Sequence, residues 1–241
     1  MKEKQDMKKR NIIRGFLVLV MVVMTGFFIN LEITKADEKN TENYHLIPWD
    51  DGQSGTYWMD GYLYWIDMKK KKISRYSDEE MTKEEVLVEA DKGTCIGECG
   101  LLYDDIIYYV LIDNKTHAGN LYSYNLKSRE SNKLGAAREL QRLEVLVDGK
   151  IYGCGYTKTG NPEVFLYDLK GKKLKQICKN GYFGQIVGKY IAIQTISSSG
   201  KSGMTLYRKS DGQKIKTITS NCSYYEFIDN TFYYVEPIAE F

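Results

Sequence analysis

Histidine is nearly absent: His45 and His117 are the only two in 241 residues. Any Ser/His/Asp or Cys/His catalytic set must use one of them. His45 lies in a loose segment behind an N-terminal leader, and His117 lies in Asn114–Asn120, a loop between strands. A lone loop histidine reads as an exposed polar residue rather than a general base. Cysteine is sparse too: Cys95, Cys99, Cys154, Cys178 and Cys222. No second close pair accompanies Cys95 and Cys99, so the four ligands of a zinc site are missing, and neither a metal nor a cofactor is expected. The odd count leaves at least one thiol unpaired unless it bridges chains. A Cys95–Cys99 disulfide stays open, while Cys154 and Cys178 read as small buried hydrophobes. Gly155, Gly160, Gly181 and Gly184 lack the spacing of a phosphate-binding loop.

An excess of basic charge is also missing once the leader is set aside. Residues 1–36 hold seven Lys/Arg and three Asp/Glu out of 34 and 32, so the remainder carries 27 against 29, a net of −2. A nearly neutral body has no basic footprint for nucleic acid. Its one basic run, Lys69–Lys72, falls between two strands and reads as a solvated hairpin tip. The leader has three parts: a basic start (Lys2, Lys4, Lys8, Lys9, Arg10, Arg14), the apolar run Phe16–Ile29, and Ile33-Thr34-Lys35-Ala36 with small residues before Asp37. That is the layout of a secretory signal, or of an uncleaved signal anchor with a cytoplasmic N-terminus. The expected location is secreted, or extracytoplasmic and membrane-tethered, with the membrane met only through this segment.

What the chain does have is a repeated phrase. Asp60-Gly61-Tyr62-Leu63-Tyr64-Trp65 returns as Asp104–Tyr109, Asp148–Gly153, Val187–Ala192 and Asp229–Tyr234, at steps of 44, 44, 39 and 42 residues. A second element follows each of the first four: Ile73–Tyr76, Leu121–Tyr124, Phe165–Asp168 and Leu206–Lys209. A further short apolar run comes after it, and one strand precedes each phrase, as in Leu143–Val147. About four strands in a period of about 42 residues is the formula of a β-propeller blade. Asp60-Gly61 and Asp148-Gly149 favour two-residue hairpins, because both central residues tolerate positive φ. In Tyr62–Ile66 both alternating faces are apolar, which suits a sheet covered on both sides. The 20 tyrosines, against 8 Phe and 3 Trp, concentrate in these strands. There the ring packs between sheets while the hydroxyl reaches an edge or water.

The expected fold is therefore all-β, a β-propeller with four full repeats and a partial fifth. Residues 1–36 are the leader, 37–54 a linker or ring-closing strand, and 55–241 the repeats. The partial fifth repeat has three readings. A strand from Asn43–Met59 closes the ring, the chain is a truncated piece of a longer propeller, or an open blade edge pairs with another copy in a homo-oligomer.

Tyr64-Trp65-Ile66-Asp67 resembles the Tyr-Trp-Thr-Asp signature of low-density-lipoprotein-receptor-type propellers. The wider pattern resembles exported bacterial relatives of that fold, proteins of unknown function with "Asp-Gly-x-Ile-Tyr-Tyr … Leu-Tyr-x-Tyr" units. The likeness runs from Thr56 to the end, and only the first repeat keeps the Trp and Asp. It implies a propeller and no known catalysis.

Propellers bind partners on the face carrying the between-blade connections and the loops joining second and third strands. Here those loops are Asp113–Asn120, Thr157–Pro162 and Ser197–Gly203. The candidate binding residues are His117 and Tyr156 at these loops, with Arg138, Tyr182 and Tyr224 between blades, since exposed Tyr and Arg are common anchors. No motif selects a pair of catalytic carboxylates; Asp50-Asp51 and Asp104-Asp105 read as turn residues. The expected function is a non-catalytic extracellular binding module whose partner is an extracellular protein or a cell-wall glycan. An extracytoplasmic hydrolase or lyase acting on carbohydrate or lactone is the alternative.

Overall fold

The computed structural model describes residues 44–48, 58–69, 71–78, 80–222, 224–228 and 231–235. The leader lies outside them. The described residues form twenty strands and no helix. The first strand, β1 (Tyr44–Ile47), stands alone in sequence. Next come β2 (Trp58–Met59), β3 (Tyr62–Asp67), β4 (Lys72–Tyr76) and β5 (Glu84–Glu89), then β6 (Thr94–Ile96), β7 (Gly100–Tyr103), β8 (Ile106–Asp113), β9 (Gly119–Asn125) and β10 (Glu130–Ala136). The third group is β11 (Arg142–Val147), β12 (Lys150–Tyr156), β13 (Pro162–Asp168) and β14 (Lys173–Lys179). The fourth is β15 (Gly181–Val187), β16 (Tyr190–Ile196), β17 (Ser202–Arg208) and β18 (Lys214–Thr219). A hairpin of β19 (Tyr224–Ile228) and β20 (Thr231–Val235) belongs to a separate compact unit.

Each group is an antiparallel meander in chain order. Met59 pairs with Tyr62 and Val147 with Lys150, so the first hairpin of each sheet turns in two residues. Asp60 and Gly61 take φ of 50° and 78°, and Asp148 and Gly149 take 50° and 66°. These are the paired positive values that match the twist of the flanking strands. The second sheet departs from the plain meander. Its first strand is split into β6 and β7 around Gly97–Cys99, both halves pairing with β8. β1, from the segment read as a linker or ring-closing strand, pairs antiparallel with β7, Ile47 opposite Gly100. Ile47 is fully buried, and Pro48 O accepts from the Ile66 amide at 3.0 Å. The strand therefore ties the second sheet to the first.

The middle strands are buried on both faces. On β12, Ile151 and Tyr152 are both fully buried, but they enter different core clusters. On β13, Phe165 and Tyr167 face the core shared with the second sheet, and Val164 and Leu166 face the core shared with the fourth. On β8, Ile107 and Tyr109 pack toward the first sheet, and Tyr108 and Val110 toward the third. Because strand side chains alternate between faces, this division requires sheets stacked side by side, each covered by its neighbours. The outer strands β10, β14 and β18 are largely exposed. Tyrosine hydroxyls reach the edges: Tyr109 Oη bonds Ser131 Oγ at 3.1 Å, and Tyr152 Oη donates to Lys209 O at 2.8 Å in the next sheet. No disulfide joins any of the five cysteines, and all but Cys95 are buried.

Burial depth sets the cost of substitution. Phe165→Ala should cost about 3–5 kcal/mol, the range for emptying a packed aromatic site. Leu174→Ala, on an outer strand where Leu174 is 43 % exposed, should stay within about 0.5 kcal/mol. Denaturant unfolding of both variants checks this, and equal losses would contradict two-sided burial.

Candidate functional site

The connection from β10 to β11 is a tight turn seated on its neighbours. The Ala137 amide donates to Gly119 O, and the Gly119 amide donates to Arg138 O, both at 3.1 Å. The Leu140 amide closes the turn onto Ala137 O at 2.8 Å, and the Gln141 amide reaches Cys154 O at 2.9 Å. The turn lies so close that side chains beneath it are excluded. A Cβ on Gly155 would fall 1.6 Å from Glu139 O, one on Gly119 would fall 2.3 Å from Leu140 O, and one on Gly97 would fall 2.3 Å from Gln141 O.

This seat carries Arg138 and Glu139 into a cavity of about 960 Å³ between the second and third sheets. One wall is the β8–β9 loop with Thr116, His117 and Ala118; the other is Tyr156, Thr157, Lys158 and Glu163. Asp113 organises the first wall: its Oδ1 accepts from the Lys115 and Thr116 amides at 2.9 and 2.7 Å. Hydrogen bonds from the Thr116 amide and hydroxyl hold the Asp113 carboxyl below its usual range. His117 takes φ of 56°, its amide bonded to Asp113 O at 2.8 Å. On the second wall the Thr157 amide donates to Asn161 O at 2.9 Å.

Both acids of the cavity are engaged. Glu139 accepts from Tyr167 Oη at 2.7 Å and pairs with Lys173. Burial pushes its carboxyl up, but Lys173 and Tyr167 outweigh burial and leave it lowered. Glu163 accepts from Gln176 Nε2 at 2.7 Å. Among the described residues, the side chains of His117, Arg138, Gln141 and Lys158 make no hydrogen bond or ion pair, so donors are open toward the cavity.

Beside it lies a more buried charged group. Arg142 Nε donates to Glu144 Oε1 at 2.5 Å, and Arg142 Nη1 stands 3.7 Å from Glu98 Oε2. Glu144 is the extra residue of a bulge between Leu143 and Val145 on β11. Burial raises its carboxyl despite Arg142 and a bond from the Cys154 thiol. Burial likewise raises the Tyr156 phenol, which also senses Glu98, Arg142 and Tyr182. Among the described residues no group of three or more His, Cys, Asp or Glu is placed to hold a metal.

Of the five residues picked from sequence, the cavity gathers His117, Arg138 and Tyr156. Tyr182, half-buried on β15 opposite Gln194, lies near Tyr156 without lining the cavity. Tyr224 is in the separate hairpin, opposite Val235. Sequence reasoning passed over Glu139, Gln141, Lys158 and Glu163, although the glycines one or two residues from Tyr156 and His117 were a usable signal. It also passed over Glu98 and the Arg142–Glu144 pair.

No protein-family model matches the chain, and no curated protein matches it. Among solved structures, an oligogalacturonate lyase in complex with manganese is 11% identical, with a TM-score of 0.51, covering 72% of this chain and 55% of its own. A second, from Vibrio parahaemolyticus, is 10% identical with a TM-score of 0.47, covering 71% and 54%. The β-propeller domain of the Trilobed protease from Pyrococcus furiosus, with open velcro topology, is 11% identical with a TM-score of 0.44, covering 73% and 58%. The chain spans a little over half the length of these three proteins. Such identities speak to fold alone, and the fold is a β-propeller.

Two outcomes follow for the seat. Gly155→Ala must displace the Glu139 carbonyl, and should lower stability by about 1–3 kcal/mol on the scale of overpacking; an unchanged Tm would contradict the close approach. Glu139→Gln should be less stable than wild type at neutral pH. A lowered carboxyl stabilises the fold above its unfolded pKa, and that contribution is lost as pH falls through the folded value. The deficit should therefore close in acid, read by urea titration at several pH values, and a deficit independent of pH would contradict the Lys173–Glu139–Tyr167 linkage.

Proposed function

We propose that this propeller is a non-catalytic binding module working outside the cytoplasm, secreted or membrane-tethered through its leader. Its partner on the loop-bearing face is a cell-wall glycan, with an extracellular protein as the other partner of the same class. One observation carries the reading: a single cavity gathers His117, Arg138 and Tyr156 from two adjacent sheets and the connection between them. Tyr156 offers a rigid amphipathic ring, and Arg138, Gln141, His117 and Glu139 offer donors and acceptors at short spacing. Sugar rings present apolar faces and paired hydroxyls, which suits that mixture. The cavity is preformed, because the turn holding Arg138 is clamped to Gly119 by two backbone bonds. Preorganisation lowers the cost of ordering on binding. Nucleic acid is not part of this reading, since the body has no basic excess.

A hydrolase or lyase acting on carbohydrate is the second reading, favoured by Glu98 and Glu144 flanking Arg142 beside Tyr156. Against it, Glu144 is held by both Arg142 and Cys154, which leaves a poor free acid or base.

Retention of the full chain on insoluble wall material tests the module. Arg138→Ala and Tyr156→Ala should each weaken retention about tenfold, near 1.4 kcal/mol, with the far-UV spectrum unchanged. Retention unaltered in both variants would sink the proposal, and release of soluble sugar by the wild-type chain would favour the enzyme.

A further inference from the structure

A second cavity, of about 320 Å³, opens one seam along, between β14 of the third sheet and strands β16, β17 and β18 of the fourth. Its lining is chemically one-sided. Lys179, Lys201 and Lys214 line it with Thr195, Ser197, Thr205, Thr217 and Ser220, over a floor that includes Ile177, and no Asp, Glu or Arg takes part. None of the three ammonium groups has a carboxylate partner among the described residues. Glu163, across from Lys179 in the strand register, instead accepts from Gln176 at 2.7 Å.

The chain as a whole is balanced, 34 Lys and Arg against 32 Asp and Glu, so a lining with three lysines and no acid departs from that balance locally. The loop presenting Lys201 is fixed from within: the Ser197 amide donates to Lys201 O at 2.9 Å, and the Lys201 amide donates to Ser197 Oγ at 3.0 Å. The loop Ser197–Gly203, one of the three joining second and third strands, is thus closed on itself at the rim of the cavity. Thr205, 2% exposed, lies 3.3 Å from Thr217 through their hydroxyls, giving the cavity a polar wall.

We propose that this cavity is a binding site for a tetrahedral oxyanion, a phosphate or phosphate ester, held by Lys179, Lys201 and Lys214 and the surrounding hydroxyls. Lysine binds phosphate as a point charge, and a lining of three exposed lysines and several hydroxyls supplies donors enough for four oxygens. A planar carboxylate is better met by the fork of an arginine, which this lining lacks. The site is separate from the Arg138 cavity and does not depend on the glycan reading.

Calorimetric titration of the full chain with inorganic phosphate and with a glycerol-phosphate polymer tests the proposal, with acetate as competitor. Binding should weaken as salt is raised, because exposed charges are screened. The Lys201→Gln/Lys214→Gln double variant, checked for an unchanged Tm, should lose at least tenfold in affinity, while Arg138→Ala should bind like wild type. Lysine-dependent polymer binding that tightens with chain length assigns the ligand to a phosphodiester polymer, and lysine-dependent binding of phosphate alone assigns it to the free anion. No binding of either, binding indifferent to the double variant, or displacement by acetate as readily as by phosphate would overturn it.

Discussion

The second and third sheets meet through a contact that side chains would forbid. Backbone carbonyls of residues 137–141 lie where Gly97, Gly119 and Gly155 would otherwise place a Cβ. Three consequences share this cause. The β10–β11 connection can lie flat on both sheets, Leu140 can be fully buried beneath it, and Arg138 and Glu139 are held at the seam. A packed interior has no slack for an added methyl group at 1.6 Å. The site and the seam therefore stand or fall together.

Around that seam the architecture follows from burial. Strands whose two faces enter different cores cannot end on water, so each inner sheet needs a neighbour on each side. Tyrosine meets this need twice: its ring fills the space between sheets, and its hydroxyl leaves the core at an edge. Tyr152 ends on Lys209 O of the following sheet, and Tyr167 ends on Glu139 in the connection. The hydroxyls thus link the layers that the rings separate, and Tyr167 joins the core to the cavity wall.

Much of this was legible because it repeats. Two-residue turns at Asp60-Gly61 and Asp148-Gly149, strand-period alternation and tyrosine-rich strands are local signals, and the sheets follow them. The loops holding His117 and Tyr156 were legible as the gaps between strands. What escaped was set by long-range contact. Glu139 and Gln141 reach the site only because distant glycines admit the connection, and nothing in the order Ala137-Arg138-Glu139-Leu140 announces it. The Arg142–Glu144 pair was obscured because the bulge at Glu144 breaks the alternation a reader counts. The pairing of β1 with β7 joins segments more than fifty residues apart, and a four-residue strand carries no mark of its partner. The anion cavity escaped for the same reason, as Lys179, Lys201 and Lys214 come from three different strands or turns.

The most direct test of the seam is native-state hydrogen exchange at the amides that stitch it. Those of Glu98, Gly119, Ala137 and Gln141 donate to Gln141 O, Arg138 O, Gly119 O and Cys154 O. If the connection is locked between the sheets, these four should exchange only with global unfolding, at the rate of the β12 strand amides. Exchange as fast as at the exposed Lys158 and Thr159 amides would mean that the connection opens on its own and that Arg138 is not held in place.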